Sequence, residues 1–370
     1  MVRSDASALS ALRFDTRVQV HGTSEFTGVL AVSADEVWAV GGAADPATGR
    51  TVALVGRWTQ DFRFVAPAPA AAAARLIGVD GVGDDVWAVG WISDGRGGGK
   101  PRIERYSRSS GAVEALDGPS VDGNSSLNAV AMLSTTEGWA VGASGPSADA
   151  DPTHTLIARW DGTAWRAISS PSPGSALNRL DAVSARTTDD VWAVGSRGDG
   201  ERVEALITRW DGTTWTRVPF PGDGIELHDV AAVDHDSVWV VGTNVTPGKS
   251  DTHVGIARHW DGSKWTDIAP TPSGITELTG IAVVAPDDVW FAGYAELPGL
   301  PDTAHLAHWD GTRWRDEAPV ATTNGNVASA LHRICVGGTR VTAVGWHAAS
   351  TDPAARTAAA LLGRATNRPR

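Results

Sequence analysis

The chain has 370 residues, a formal net charge of −12 and one cysteine, Cys335, so it contains no internal disulfide and no zinc site built from several thiolates. Its acidic excess leaves no basic stripe to neutralise phosphates, and we expect no nucleic-acid partner. The hydrophobic fraction of 42% is enough to build a folded core.

The N-terminal segment, residues 1–20, lacks the apolar stretch of a secretory signal, so we expect a cytoplasmic protein. No run of 18 apolar residues occurs, and we expect no membrane partner. Residues 12–20 read as one isolated strand that precedes the first repeat.

A five-residue string of the type V-W-A-V-G then recurs seven times at spacings of 47 to 53 residues. The copies are Val37–Gly41, Val86–Gly90, Gly138–Gly142, Val191–Gly195, Val238–Gly242, Val289–Gly293 and Val341–Gly345. Four copies are followed by a W-D-G-x-x-W string, within Arg159–Trp165, Arg209–Trp215, His259–Trp265 and His308–Trp314. A fixed period of this length is typical of solenoids, propellers and arrays.

Each repeat reads as four short strands, here called a to d. Strand a carries an L-x-x-V pattern, strand b is the V-W-A-V-G string, and Asp-Gly forms a tight hairpin between strands c and d. Seven such units predict an all-β, seven-bladed β-propeller with four antiparallel strands per blade.

The last repeat indicates how the ring closes. It offers strand a at Leu331–Val336, strand b at Val341–Gly345 and strand c at Ala358–Leu362, but no strand d. The N-terminal strand at residues 12–20 can supply it, so that residues 26–362 form the seven blades of a single domain covering 1–370. We expect this domain to be a monomer.

The blade length, and the aromatic residue after the hairpin, resemble kelch-type and galactose-oxidase-like propellers, and the V-W-A-V-G strands are similar to those of tectonin lectins. The resemblance implies the propeller architecture. Galactose oxidase also needs a Tyr–Cys copper-radical site, whereas the only tyrosines here are Tyr106 and Tyr294 and Cys335 lies in a predicted strand. We therefore expect no copper and no other cofactor.

Most tryptophans repeat in phase with the blades, which predicts a packing role. Only Trp91 and Trp346 lie outside these periodic positions. His154, His253 and His305 each precede a strand c, and this recurrence favours structure over metal binding, so we expect no metal. No H-E-x-x-H, P-loop, dinucleotide or EF-hand motif is present.

Functional residues are expected where the repeat is broken. The a–b and c–d turns are short and uniform, whereas the b–c and d–a connections are long and varied, so one face carries all the variable loops.

Three repeat columns lie near the channel mouth on that face. The second column (second position of L-x-x-V) is Thr27, Ile77, Asn128, Asp181, His228, Thr279 and His332. The third column is Gly28, Gly78, Ala129, Ala182, Asp229, Gly280 and Arg333. The post-glycine column after strand b is Gly42, Trp91, Ala143, Ser196, Thr243, Tyr294 and Trp346.

The departures from these columns define the predicted site. Imidazoles, a carboxylate and a phenol suit acid–base work, and a guanidinium with aromatic walls suits an anionic organic ligand. The predicted catalytic residues are His228, Asp229, His332 and Tyr294, and the predicted ligand-binding residues are Arg333, Trp91, Trp346, His347, Asp181 and Asn128. The alternative is that Arg333 and Asp229 pair with neighbours in a structural network and the histidines are ordinary surface groups.

The resulting hypothesis is a propeller that binds one small organic molecule or glycan at the central mouth of the variable-loop face. One alternative is an enzyme of bacterial specialised metabolism, of cyclase, lyase, isomerase or hydrolase type, that uses metal-independent acid–base chemistry in the same pocket. A second alternative is a lectin or protein-interaction propeller.

Overall fold

The computed structural model describes residues 13–14, 23–147, 151–245, 253–268, 274–296, 301–316, 328–338, 340–348 and 356–364. Within these residues the chain forms 28 strands in seven four-stranded antiparallel sheets, and no helix. The predicted seven-bladed propeller is therefore confirmed. None of the described residues belongs to a helix that is long and apolar enough to cross a membrane.

Each blade takes its four strands in chain order. Blade one is β2 (Ser24–Ala31), β3 (Val37–Ala44), β4 (Thr51–Trp58) and β5 (Phe62–Phe64); blade two is β6 (Ala74–Val82), β7 (Asp85–Ser93), β8 (Gly99–Ser107) and β9 (Val113–Leu116). Blade three is β10 (Asn124–Ser134), β11 (Glu137–Gly145), β12 (His154–Trp160) and β13 (Trp165–Ile168); blade four is β14 (Leu177–Thr187), β15 (Asp190–Gly198), β16 (Val203–Trp210) and β17 (Trp215–Arg217). Blade five is β18 (Ile225–Asp234), β19 (Ser237–Val245), β20 (His253–Trp260) and β21 (Trp265–Asp267); blade six is β22 (Glu277–Ala285), β23 (Asp288–Ala295), β24 (Thr303–Trp309) and β25 (Trp314–Asp316).

Blade seven combines both ends of the chain. It consists of β26 (Ala328–Gly337), β27 (Arg340–Ala348), β28 (Arg356–Arg364) and the N-terminal β1 (Arg13–Phe14). Strand β1 pairs antiparallel with β28, Arg13 opposite Leu362 and Phe14 opposite Leu361. The N-terminal strand thus closes the last blade; the rest of the predicted 12–20 strand lies outside the described residues.

Strand b packs against the blades on both of its sides. In blade two, Val86 and Ala88 belong to the core shared with blade one, while Trp87 and Val89 belong to the core shared with blade three. The alternation follows from the two-residue period of a strand whose two faces are both buried. Trp87 lies 5.1 Å from the ring of Trp160 and 5.8 Å from that of Trp165, centroid to centroid. The periodic tryptophans therefore form the inter-blade core.

A β-bulge occurs at the same place in strand a of all seven blades. The register shifts by one residue between the first and third positions of L-x-x-V, so every second-column residue is the bulged one. The bulge presses a strand-a carbonyl against the strand-b glycine. In blade one, a Cβ on Gly41 would overlap the carbonyl oxygen of Glu25, and the equivalent glycines of the other six blades meet an equivalent carbonyl.

The aspartate of each W-D-G string organises its hairpin turn. In blade four, Asp211 Oδ1 accepts the N–H groups of Thr213 and Thr214 at 2.8 Å and the Thr213 hydroxyl at 2.7 Å, while Gly212 adopts a φ of +95°. These hydrogen bonds lower the pKa of Asp211 to about 2, the Thr213 hydroxyl contributing most. The pKa of Asp261 is lowered to about 2 in the same way, with Ser263 contributing most.

Acid is therefore expected to weaken these turns. The ionised carboxylates hold them fully above about pH 4, the ordinary aspartate range, and the stabilisation is lost as pH falls towards 2. Asn at Asp211 and Asp261 keeps an acceptor oxygen but cannot titrate. Melting temperatures of wild type and the Asp211→Asn/Asp261→Asn variant should therefore converge between pH 6 and pH 2. A constant difference across that range would contradict this assignment.

Candidate functional site

The channel mouth lies on the face of the long b–c and d–a connections, where each strand a begins and each strand b ends. The residue before L-x-x-V, here called the rim column, pairs across the sheet with the post-glycine column. The rim column consists of Glu25, Arg75, Ser126, Arg179, Glu226, Glu277 and Ala330. Third-column residues of neighbouring strands a approach closely around the channel, as Gly28 does against Gly78.

Part of the second column joins neighbouring blades. Thr27, Asn128 and Thr279 donate to main-chain carbonyls of the following blade: Leu76 at 3.2 Å, Leu180 at 2.8 Å and Leu331 at 2.7 Å. The amide of Asn128 also lies 3.4 Å from Asp181 Oδ1. The Asn128 side chain therefore joins two blades, which agrees with the alternative that these residues form a structural network.

Asp229 also bridges two blades. Its carboxylate accepts the N–H of Val230 at 2.9 Å and that of Ile281, in blade six, at 3.1 Å. Burial raises the pKa of Asp229, with the Arg333 cation opposing the shift. Asp80, two positions further along strand a of blade two, makes the same kind of bond to the N–H of Met132 in blade three at 2.7 Å, and burial raises its pKa to about 6. This repetition assigns Asp229 a structural role in holding blades five and six together.

Arg333 extends into the channel from blade seven and reaches two other blades. Its Nη1 donates to the carbonyls of Thr279 at 2.6 Å and His332 at 3.0 Å, and its Nη2 donates to the carbonyl of Asp181, in blade four, at 3.4 Å. No carboxylate among the described residues lies within 4.0 Å of its guanidinium. Carbonyl oxygens therefore bind this charge without a direct ion pair to a described carboxylate, whereas Arg75 and Arg179 each pair with carboxylates.

His228 lies in the same part of the channel. Its Nε2 is 3.1 Å from the hydroxyl of Thr243. Burial lowers its pKa to about 4; the nearby Arg333 and Arg179 cations add to the shift, while Asp181 opposes it. His228 is therefore neutral at physiological pH and offers a hydrogen bond without a charge.

His332 forms a pair with a carboxylate from blade one. Its Nε2 lies 3.3 Å from Glu25 Oε2, and Glu25 also binds Arg75 of blade two. Burial alone would raise the pKa of Glu25, but the hydrogen bond with His332 and the charge of Arg75 outweigh burial and lower it to about 2. The ionised carboxylate orients the imidazole at the rim.

The predicted aromatic wall does not form around the mouth. Trp346 is only 3% exposed, and the Arg356 guanidinium lies 4.1 Å from its ring centroid. Tyr294 packs against the cluster that contains Trp346, and burial, together with the nearby Glu277 carboxylate, raises the pKa of its phenol. His347 follows Trp346 on β27, and burial lowers its pKa. In this conformation Trp346 presents no open face to a ligand.

Trp91 lines a separate cleft between blades two and three. The cleft measures about 450 Å³, and its other lining residues are Ala73, Ser93, Gly97, Gly98, Gly99, Asn124, Ser125 and Ser126. The Ser125 side chain is 2% exposed, and its hydroxyl has no hydrogen-bond partner among the described residues. Because Ser126 belongs to both the cleft and the rim column, the cleft extends outwards from the channel mouth.

The structure thus links Arg333, Asp181 and Asn128 by hydrogen bonds and places His228 and Asp229 within electrostatic range of Arg333. It pairs His332 with Glu25, which also binds Arg75. Tyr294 packs against the buried Trp346 elsewhere on the same face, His347 follows Trp346 on β27, and Trp91 lies in its own cleft. The rim column was missed by sequence reasoning, although one signal was available: five of its seven members are charged.

No family model matches the chain, and no curated protein matches it. Among solved structures it is similar to YCF48 bound to a D1 peptide, with 14% identity, a TM-score of 0.58 and coverage of 99% of this chain and 100% of that one. It is also similar to a polysaccharide lyase, a PL25 ulvan lyase bound to an oligosaccharide, with 8% identity, a TM-score of 0.54 and coverage of 95% and 94%. The propeller domain of the Trilobed protease from Pyrococcus furiosus gives 11% identity, a TM-score of 0.53 and coverage of 97% of both chains. At these identities the likeness shows the propeller fold alone.

Proposed function

We propose that this propeller binds one small organic molecule carrying a negative group at the channel mouth of its variable-loop face. The observation that carries the proposal is that no carboxylate of the described residues forms an ion pair with Arg333. Its hydrogen bonds to described residues use three of the five N–H donors of a guanidinium. The Nε–H and one Nη2 hydrogen remain, and together they form an edge that suits a carboxylate or phosphate.

The neighbouring groups support this choice of ligand. Neutral His228 carries no charge but can donate or accept one hydrogen bond with a polar substituent of the ligand. Asp181 is already bound by Arg179 at 2.9 Å, which reduces its repulsion of an incoming anion. The uncharged part of the ligand would extend over Trp91, whose cleft combines an aromatic ring with the polar residues Asn124 and Ser126. A sugar ring fits that combination, so a glycan acid belongs to the proposed class.

The similar structures add limited support. Two of these propellers are described with a bound peptide and a bound oligosaccharide. Ligand binding is therefore compatible with a propeller of this size. Neither ligand is transferred to this chain, and the identity of its own ligand has to come from a screen.

A ligand screen with matched variants tests the proposal. Wild type is screened by thermal shift against organic carboxylates, phosphates and acidic sugars, and hits are titrated by calorimetry. Arg333→Gln should weaken binding of the hit at least about tenfold, because a hydrogen bond to a charged group contributes roughly 1.5–3 kcal/mol. Arg340→Gln, in the same blade but at the a–b turn of the opposite face, is the control and should bind normally. An unchanged affinity in Arg333→Gln would overturn the proposal.

A second candidate function, acid–base catalysis on the same ligand, rests on the His332–Glu25 pair. A carboxylate that orients an imidazole is the arrangement of a general base. A catalytic role for His332 predicts that the bound ligand is converted to a product detectable by mass spectrometry, and that His332→Gln loses turnover while keeping most of the binding affinity. Binding without any conversion by wild type would leave the binding function and remove the catalytic one.

A further inference from the structure

Three metal-ligating side chains meet at the junction of blades five and six. They are His253, at the start of β20, Glu277, at the start of β22, and Glu296, directly after β23. Their donor atoms all lie within 4.8 Å of one another, and His253 Nδ1 is 3.6 Å from Glu277 Oε1. None of these residues belongs to the Arg333 network.

The backbone holds the three segments together. The N–H of Gly255 donates to the carbonyl of Ile275 at 3.2 Å, which ties strand c of blade five to the segment before Glu277. The N–H of Glu296 donates to Thr276 Oγ1 at 2.7 Å, and the N–H of Thr276 donates to the Tyr294 carbonyl at 3.2 Å. Glu277 follows Thr276 in the chain and Glu296 is hydrogen-bonded to it, so Thr276 holds the backbones of both carboxylate residues together.

The donor set fits a zinc-class divalent ion. Imidazole and carboxylate ligands bind zinc at roughly 2.0–2.2 Å, which places two tetrahedral ligands about 3.4 Å apart. The His253–Glu277 separation of 3.6 Å is close to that value. Glu296 is exposed and can rotate to shorten its own distance. A site with one imidazole favours zinc over magnesium or calcium, which prefer oxygen ligands alone.

The surroundings complete the site. The Tyr294 phenol interacts with Glu277, and an outer contact of this kind can orient a metal-binding carboxylate. Two further carboxylates lie close by. Burial, Asp181 and Glu277 raise the pKa of Glu226, although Arg179 opposes the shift. Burial and Glu296 likewise raise the pKa of Asp302, although Arg356 opposes the shift. The junction therefore concentrates negative charge that a cation would stabilise.

We propose that His253, Glu277 and Glu296 form a binding site for one zinc-class divalent cation, with Tyr294 as the residue that positions Glu277. This reverses the expectation from sequence that His253 is structural and that the chain binds no metal. The three histidines before strand c occupy different registers: His154 pairs with Ser144, His253 with Val245 and His305 with Gly293. Their partners on strand b lie two, three and no residues after the strand-b glycine, so the three histidines do not form a repeat column.

Zinc titration of the full-length, tag-free chain tests the site. The protein is treated with EDTA, dialysed and titrated with ZnCl₂ by calorimetry, and Co²⁺ absorption reports the ligand field. We expect one zinc per chain. His253→Ala should weaken binding by at least about 100-fold and Glu296→Gln at least about tenfold, given that even outer-shell changes cost roughly 10- to 100-fold. Tyr294→Phe should weaken binding about tenfold for the same reason.

Two control variants show whether a loss of zinc affinity is specific to these three ligands. His154→Ala removes the histidine at the start of strand c in blade three, where no carboxylate joins it in the described metal-ligand clusters, and it should bind zinc normally. Arg333→Gln should also bind zinc normally, so failure of the organic-ligand proposal would leave this one standing. Absence of stoichiometric binding, or full zinc affinity in the exposed Glu296→Gln variant, would overturn the proposal.

Discussion

Replacing Glu104 by alanine is expected to lower the free energy of unfolding by about 3–5 kcal/mol, the usual cost of removing one partner from a buried ion pair. Glu104 is fully buried in β8 and Arg102 is 5% exposed. The carboxylate binds the Arg102 guanidinium and the Tyr106 hydroxyl, and it accepts the N–H of Ala68 at 3.0 Å. Alanine would leave a buried guanidinium and phenol without this acceptor.

Glu114→Ala is the matched control for Glu104→Ala. Glu114 pairs with Arg105 at 2.7 Å in the same blade, but the two side chains are 54% and 35% exposed. Exposed pairs contribute at most about 1 kcal/mol, so this variant should change stability little. Chemical denaturation of both variants measures the difference, and equal losses would show that burial is not what makes the Glu104 network stabilising. The network also anchors Ala68 in the connection that leads to Ala73 at the Trp91 cleft.

Replacing Gly41 by alanine is expected to cost about 3 kcal/mol, the upper end of the usual range for overpacking a well-packed core. The added Cβ would overlap the carbonyl oxygen of Glu25, a backbone atom that the strand-a bulge holds in place. Relief requires strand β2 to move, and β2 supplies Glu25 to the rim. The variant should therefore lose stability and also disturb the His332–Glu25 pair.

The adjacent glycine provides the control. A Cβ on Gly42 would lie 3.1 Å from Cγ of Arg75, a flexible side chain that can move. The other six blades already carry a side chain in this post-glycine column. Gly42→Ala should therefore cost less than about 1 kcal/mol, a small shift of a flexible neighbour. Similar denaturation midpoints for the two alanine variants would contradict the role assigned to the bulge.

The fold could be predicted from sequence because the same four-strand repeat occurs seven times. Seven V-W-A-V-G strings and four W-D-G hairpins fix the blade count, and a missing strand d in the last repeat indicates the closing strand. The bulge was missed, although it leaves a mark in the sequence. The two apolar residues of L-x-x-V are three positions apart, and a regular strand, with its period of two, would place them on opposite faces. Because the bulge was missed, the second column looked like a ligand surface although Thr27, Asn128 and Thr279 join blades.

The site was predicted in part. Arg333 was found because it breaks a column of small residues, and the structure places it in the channel. Trp346 broke its column in the same way but is buried, because Ala330 and Ala358 on the flanking strands leave space for an indole. The three predicted columns ended one residue short of Glu25, Arg75, Arg179, Glu226 and Glu277. A residue's column predicts its height in the channel, whereas its exposure depends on the neighbours across the sheet.

A crystal structure of the protein with the ligand recovered from the screen tests the central claim most directly. We expect density at the channel mouth on the variable-loop face, with the negative group of the ligand within hydrogen-bond distance of Nε and Nη2 of Arg333 and an uncharged part directed towards Trp91. A ligand bound on the opposite face, or one held at the mouth without contact to Arg333, would contradict it.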